Sequence, residues 1–559
     1  MRSTPVVPRP ASTLVLARDS LQGIEVFMMQ RTHQAAFLAG AHVFPGGGLD
    51  KADSEAVMAS HCVGLDDASA SQSLKLESGG LAFWVAAVRE CFEESGLLLA
   101  YDQHGDLVRH DDPLVFDAFC GFRNKLITGD ISLAGICRSA KLQLAVDRLA
   151  YFGHWITPLD RPKRYDTRFF VAVAPPDQTG SADDCETIDH VWIRPADALE
   201  RERSGQMSLA FATIKTLELL AQFSDTNALM QHARTLQTVT PRTPRAATAR
   251  TGRRVLLPDD PAYAEVAKLD TTGSGTVSCE LVPGTVTWIS GKVRRITAPN
   301  ASFMTGPGTN TYLLGTGDDL ALIDPGPADE EHLRVLLAEA KGRIRWIFVT
   351  HTHIDHSPAA AILKAQTGAE VLGMKPAHPD RQDQSFAPDT ILAHGDRISV
   401  AGCALRVIHT PGHASNHLCY LLEDEQLLFT GDHIMQGSTV IINPPDGDMA
   451  AYLASLKRLS EESIAYLAPG HGFLMDKPNE VIERLLAHRL ARENKLLMTL
   501  RRQTAATAAE LVPFVYDDVP AKKHAAATRS LLAHLVKLEA DGYATESDGR
   551  WRAVELPIH

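Results

Sequence analysis

The chain has 559 residues, of which 45% are hydrophobic and 22% charged, the composition of a globular chain with several cores and room for three or four domains of about 150 residues each. Its 55 basic and 68 acidic residues leave a formal net charge of -13, which argues against broad nucleic-acid binding but leaves room for a local basic patch. Eight scattered cysteines without a Cys-x-x-Cys pair exclude a disulfide framework, and no apolar run reaches the about 20 residues of a membrane span. The expectation is a cytoplasmic protein without a membrane partner.

In chain order, residues 12–16 and 24–29 are β-rich and flank a turn at 19–23, so they predict paired strands. A glycine-rich turn, Phe44-Pro45-Gly46-Gly47-Gly48-Leu49, follows. Residues 81–94 carry apolar side chains at helical spacing, and 168–174 read as a strand. The stretch 236–262 is rich in Pro, Thr, Ala and Arg, lacks an apolar period and reads as a solvated linker. Beyond it, 344–350 predicts a buried strand. Ser357-Pro358 predicts the start of a helix, with serine as N-cap, and Gly368 its end. Residues 404–408, 417–422 and 427–430 predict further strands. After about 479 the pattern is helical, and a short hairpin follows at 543–554 with its turn at 547–549. The expected division is 1–230, a linker at 231–282, 283–478 and 479–559.

The strand ending at Thr350 leads directly into His351-Thr352-His353-Ile354-Asp355-His356. Three more candidates follow β-rich segments, each with a glycine beside it: His413, Asp432 and His471. Imidazole and carboxylate are the ligands zinc prefers. Seven of them suffice for two zinc ions, with His351, His353 and His413 on one, Asp355, His356 and His471 on the other, and Asp432 bridging. Asp324, at the end of a strand, is placed to orient a ligand histidine. His409, His417 and His433 read individually as ordinary surface or core histidines.

In the first half, Glu90, Glu93 and Glu94 stand at i, i+3 and i+4, on one face of a helix. Carboxylates so packed repel unless a cation lies between them, and hard oxygen ligands suit Mg²⁺ or Mn²⁺. Arg89 can brace the cluster, and a carbonyl of the glycine-rich turn can complete the coordination.

The segments GTNTYLLG (308–315), LIDPG (322–326), VTHTHIDHSPAA (349–360), IHTPGHASNHLCYLL (408–422), LLFTGDHI (427–434) and LAPGHG (467–472) resemble the metallo-β-lactamase superfamily, in particular its lactamase-β-like endoribonucleases and related thioesterases. AHRLARE (487–493) is similar to the part of that group leading into a winged-helix-like C-terminal domain. The resemblance implies an αββα sandwich, a two-zinc hydrolase and a small cap, which could shape an RNA groove with Lys522, Lys523, His524 and Arg529, could equally cover a CoA-type substrate, or could be purely structural.

The glycine-rich turn and Arg-Glu-x-x-Glu-Glu-x-Gly resemble the Nudix hydrolases, and ASTLVLARD (11–19) and HWITPLDRPKRYDTRFF (154–170) resemble their peroxisomal-type acyl-CoA diphosphatase group. This implies an α/β/α sandwich in which Glu93, Glu94 and the Gly46 carbonyl hold metal and Glu90 is a further ligand or the general base. Asp53 stands where that family has a glutamate, and about 28 extra residues precede Arg89. Glu186 reads as a surface carboxylate.

The sequence therefore predicts an α/β multidomain, metal-dependent hydrolase, with Asp355 and Glu90 as its catalytic carboxylates. The substrate class expected is an acyl-CoA-like thioester for the second half and a nucleoside diphosphate derivative for the first. The alternative is a zinc-dependent endoribonuclease acting on single-stranded RNA, with the first half a non-catalytic binding module.

Overall fold

A computed structural model of the chain describes residues 6–32, 39–110, 112–181, 187–503 and 505–554. Glu186 lies outside the described residues. Two compact units divide the chain, residues 1–244 and 245–559. Among the described residues no helix is long and apolar enough to cross a membrane.

The first unit is built on a mixed sheet. Its centre is the strand Arg9–Ser20, antiparallel to Gly23–Arg31 and parallel to Tyr165–Val173, which pairs in turn with Ala150–Ile156. The expected pair at 12–16 and 24–29 is present and longer at both ends. The period-2 alternation explains why both faces are covered. Leu14, Leu16, Phe27, Met29 and Phe170 point into a core shared with the helix Leu81–Ser95. On the other side the helix Thr226–Thr235 packs against Ala150–Ile156 and Tyr165–Val173. Residues Leu81–Val88 are buried without interruption; such a helix is central to its core rather than laid on a surface.

The second unit opens with a correction to the linker reading. Residues Arg245–Ala249 and Gly252–Leu256 form a hairpin, followed by a helix at Tyr263–Leu269. Ala247, Leu256, Ala262, Val266 and Cys279 make its small core. Two five-residue strands with mostly small inward side chains give too weak an apolar period to read from sequence.

Two sheets follow. One has seven strands, antiparallel from Val286–Trp288 to Leu320–Ile323 and parallel from there to Thr390–Ile391. The other has five, from Arg397–Val400 to Tyr466–Pro469. The strand Leu418–Leu422 shows how they stack. Leu418, Tyr420 and Leu422 enter the core between the sheets, beside Tyr312, Ile323 and Phe348. Cys419 and Leu421 enter the outer core with the helix Met449–Ser460. The helices Glu330–Ala340 and Ala359–Thr367 cover the opposite outer face, which completes an αββα sandwich.

The helix at 359 starts differently from expectation. Ser357 does not cap it, because its hydroxyl donates to Asp383 at 2.6 Å. Gly368 ends it in the left-handed region, as expected. The 25-residue helix Pro478–Arg502 then leads into a separate core of Leu496, Leu500, Val512, Leu531, Leu535 and Trp551. The hairpin Ala544–Ser547 and Arg550–Ala553 closes it, turning at Asp548 and Gly549, both with positive φ.

The 263–269 helix is held to the sandwich by an ion pair. Both nitrogens of the Arg295 fork donate to Glu265, at 2.5 and 2.8 Å, and Glu265 also accepts the Leu474 N–H at 2.9 Å. Both residues are almost wholly buried. Removing one partner leaves an uncompensated charge, so Glu265→Ala is expected to cost about 3–5 kcal/mol. Replacing both partners with methionine should recover most of that loss, and thermal and urea denaturation of the full chain measure the difference.

Candidate metal centres

In the second unit, the strand Ile344–Phe348 delivers Thr350 and the histidine-rich loop to the edge of the sandwich. The neighbouring strand Leu320–Ile323 delivers Asp324, whose φ of 51° turns it back beneath that loop. The buried Asp324 carboxylate accepts the Thr350 N–H at 2.7 Å, the Thr350 hydroxyl at 2.8 Å and His356 Nδ1–H at 2.9 Å. The Thr350 hydroxyl hydrogen is thus committed, so its oxygen accepts from His351 Nδ1–H at 3.0 Å. His413 Nδ1–H donates to the Ile441 carbonyl at 2.8 Å, and His471 Nδ1–H to the Gly308 carbonyl at 3.2 Å. Each of these four rings therefore turns an unprotonated Nε2 inward in its neutral form.

These nitrogens meet in two groups. His351 Nε2 and His413 Nε2 each lie 3.0 Å from His353 Nδ1. In the second group, Asp432 Oδ1 lies 3.3 Å from His356 Nε2 and 3.2 Å from His471 Nε2. Asp355 Oδ2 lies 3.5 Å from His356 Nε2 and 3.3 Å from His471 Nε2. The other Asp432 oxygen is 3.7 Å from His413 Nε2, so this carboxylate faces both groups. His356 Nε2, His471 Nε2 and Asp432 Oδ1 are buried and have no hydrogen-bond partner. Lone pairs brought together this closely repel one another unless a cation lies among them. Tetrahedral ligands with bonds of about 2.0–2.1 Å would stand about 3.3 Å apart, the spacing found here. The residues fit a pair of divalent ions.

The electrostatics agree. Burial holds the His351 imidazole well below its usual pKa, and His356 and His353 add to the effect. His356 moves the other way: burial opposes its charged form, but Asp355, Asp432 and Asp324 together carry it well above the ordinary value. The second group has a surplus of negative charge for a cation to neutralise.

The glycines beside the ligands are there for space as much as for turning. A Cβ on Gly431 (φ 47°) would stand 2.6 Å from Thr350 Oγ1 and 2.7 Å from His417 Nε2. One on Gly470 would meet His356 Cε1 at 2.7 Å.

Sequence reasoning missed two orienting side chains. Thr350 is one. The other is His417, whose Nε2 accepts the Asp432 N–H at 3.2 Å and whose Nδ1–H donates to Thr410 at 2.9 Å. Its ring stacks on His351, centroids 5.0 Å apart. No spacing in the sequence distinguishes it from an ordinary core histidine. His433 belongs to neither ligand group; it is buried against Tyr452, centroids 4.8 Å apart.

In the first unit, Arg89 is the hub. Its guanidinium donates to both Asp53 oxygens, at 2.9 and 3.0 Å, to Glu90 at 2.9 Å, to Glu93 at 2.8 Å and to the Gly48 carbonyl at 2.8 Å. Asp53 is thus the buried partner of the arginine fork. Glu94 accepts the Gly46 N–H at 2.8 Å, so the turn meets Glu94 through its amide. A Cβ on Gly47 would stand 2.6 Å from the Glu90 carboxylate. Burial raises Glu90 to about 7, with Glu93 adding and Arg89 opposing. Among the described residues only the two histidine–aspartate groups bring three or more ligand atoms within 4.8 Å of one another. Here Arg89 holds two of the glutamates and the Gly46 amide the third. A cavity of about 220 Å³ opens beside them, lined by the polar Asp50, Asp53, Arg89 and Glu93 and the apolar Met58, Leu126, Ile131 and Leu133.

Comparison with known proteins accords with this geometry. Residues 304–471 match the metallo-beta-lactamase superfamily, 507–551 the beta-lactamase associated winged helix domain and 57–219 the NUDT19 Nudix domain. A beta-lactamase-like protein 2 homolog of Drosophila melanogaster is 33% identical over 283 residues, 47% of this chain and 92% of that protein. An atrochrysone carboxyl ACP thioesterase of Aspergillus fumigatus is 30% identical over 251 residues, 42% of this chain and 76% of that protein. Among solved structures, a metallo-beta-lactamase family protein from Thermus thermophilus is 23% identical, covering 48% of this chain and all of that one, with a TM-score of 0.43. A NUDIX hydrolase from Alicyclobacillus acidocaldarius is 28% identical, covering 42% of this chain and 99% of that one, with a TM-score of 0.35. The chain belongs to the metallo-β-lactamase superfamily. It is a metal-dependent hydrolase that also carries a Nudix domain and a winged-helix domain.

Two outcomes are expected. Asp324→Asn removes the charge that orients His356 and anchors Thr350, so metal affinity should fall about 10–100-fold, measured by chelator competition. Asp53→Asn should destabilise the first unit by about 1.5–3 kcal/mol through its lost hydrogen bonds to a charged group, leaving metal uptake by the second unit unchanged; calorimetry and metal titration separate the two.

Proposed function

We propose that the second unit is a two-zinc hydrolase that cleaves a thioester of the acyl-CoA type, and that the first is a Mg²⁺- or Mn²⁺-dependent diphosphatase cutting a nucleoside diphosphate linkage such as that of CoA. The observation that carries the first part is the pair of converging ligand groups shared by Asp432. His351, His353 and His413 would hold one zinc, Asp355, His356 and His471 the other, and Asp432 would bridge. Bound there, the ions supply Lewis-acid polarisation and water acidified to near neutrality. The protein's own groups do the rest. Asp324, Thr350 and His417 fix the ligand rings and the Asp432 backbone. Asp355, whose side chain is 21% exposed against 10% for Asp432, is open to entering water and takes its proton.

The thioester reading draws support from the thioesterase named among the relatives. In the first unit, Glu93, Glu94 and the Gly46 carbonyl would hold the harder ion, with Glu90 as base or further ligand and Arg89 bracing them. The neighbouring cavity, lined by Asp50, Asp53, Arg89 and Glu93 together with Met58, Leu126, Ile131 and Leu133, gives a substrate room beside these residues. The domains proposed are 1–230, 283–478 and 479–559, with the hairpin and helix of 245–269 preceding the second.

A second reading, zinc-dependent cleavage of single-stranded RNA, is favoured by one observation. Lys523 of the C-terminal domain lies 5.1 Å from the centre of the Phe303 ring, which is 64% exposed. A cation beside an exposed aromatic face is a place for a phosphate and a stacked base.

Both are tested with zinc-loaded full-length protein offered a panel of acyl-CoAs and single-stranded RNA. Thiol release from acyl-CoA is expected, falling more than about 100-fold in His353→Ala, beyond the usual effect of losing a ligand's orienting partner. Glu93→Gln should leave thiol release unchanged and abolish diphosphate cleavage. No thiol release from any acyl-CoA overturns the thioester reading, and zinc-dependent RNA cleavage lost in His353→Ala establishes the other.

A further inference from the structure

The segment 440–442 touches both the ligand set and the C-terminal helices. Its middle residue, Ile441, presents the carbonyl that receives His413 Nδ1–H at 2.8 Å. The residues on either side are pinned from elsewhere. The Val440 carbonyl accepts a hydrogen bond from Arg489 Nη2, on the helix Pro478–Arg502. The Ile442 N–H donates to Ser530 Oγ at 3.3 Å, on the helix His524–Ala540. Arg489 is the largest fully buried side chain of the described residues, and Ser530, Val440 and Ile442 are buried too.

Arg489 bears on the same ligand by a second route. Its guanidinium lies 5.4 Å from the centre of the Tyr452 ring. Tyr452 abuts Gly412, the residue before His413, so closely that a Cβ there would stand 2.4 Å from Tyr452 Cα. The Tyr452 hydroxyl donates to the His433 carbonyl, one residue past Asp432, at 3.1 Å.

We infer that Arg489 and Ser530 are positioning residues of the metal centre: the C-terminal domain sets the height and angle of His413 by clamping the 440–442 segment from both sides. A hydrogen bond between a ligand imidazole and a main-chain carbonyl orients the ring only as well as that carbonyl is itself held. Between them, Val440 and Ile442 give the segment one donor and one acceptor, and each is fixed by a different helix. A capping domain that served substrate alone would have no need of a buried arginine turned inward to a loop carbonyl. The inference rests on His413 being a metal ligand.

Cobalt replacement tests it on the full chain, because the visible absorption of Co²⁺ reports ligand geometry directly. Ser530→Ala and Arg489→Met should each weaken Co²⁺ binding about tenfold or more in one of the two sites and alter the visible band of that site. Ser530→Thr, which keeps the hydroxyl, should restore both. Arg492→Ala serves as the control, since Arg492 pairs with Asp518 and faces Tyr516, away from the 440–442 segment. It should lower thermal stability and leave the band in place. If Ser530→Ala and Arg489→Met melt earlier but keep the wild-type band and affinity, the C-terminal helices stabilise without positioning and the inference fails alone. A wild-type protein that takes up no Co²⁺ overturns this inference together with the metal-centre reading.

Discussion

Imidazole nitrogens gathered to within 3.0 Å of one another are the constraint on which the second unit depends. The arrangement is held from the far side of the rings. Asp324 anchors His356, Thr350 anchors His351, and main-chain carbonyls anchor His413 and His471. Those anchors come from the ends of two neighbouring strands of the seven-stranded sheet and from loops. The stacking of the two sheets through Tyr312, Phe348, Tyr420 and Phe429 is therefore also what aligns the ligand loops. The centre is the cost that the sandwich bears so that a cation finds its ligands already in place.

The first unit solves the opposite problem. It gathers carboxylates, which repel, and holds them with a buried arginine rather than with one another. The Arg89 fork reaches Asp53, Glu90, Glu93 and the Gly48 carbonyl at once. Asp53 is one methylene shorter than glutamate, yet it meets the fork with both oxygens. The turn Lys51–Ser54 packs against the helix Leu81–Ser95, which brings Asp53 to the Arg89 fork. One chain thus carries a histidine-rich cluster and a carboxylate cluster, each held by a different counterweight.

The C-terminal helices bind these themes together. A helix of 25 residues running from the edge of the sandwich into a core of its own gives that core a direct hold on the ligand loops. Arg489 and Ser530 lie where that hold is made, which ties the integrity of the small domain to the geometry of the larger one.

The sequence by itself determined the elements and the ligand types. The β-rich apolar runs at 417–422 and 427–430, the apolar helix at 81–94, the glycine at 368 and the turn at 547–549 are local signals, and each reads the same in the folded chain. The dense cluster at 351–356 and the glycine-flanked His413, Asp432 and His471 are also local, because a metal selects residue types as well as positions. What only the tertiary structure decided are the partners at long sequence separation. That Asp324 serves Thr350 and His356 at once, that His417 holds Asp432, that Asp53 faces Arg89 and that Ile441 orients His413 depend on distances no periodicity encodes. The hairpin at 245–256 escaped for a related reason: its core is small alanine and leucine contacts that gain strength only once the helix at 263–269 closes over them. A hydrogen bond between residues dozens apart leaves no mark on either neighbourhood, and so the candidate ligands and Asp324 were legible while Thr350, His417 and Ile441 were not.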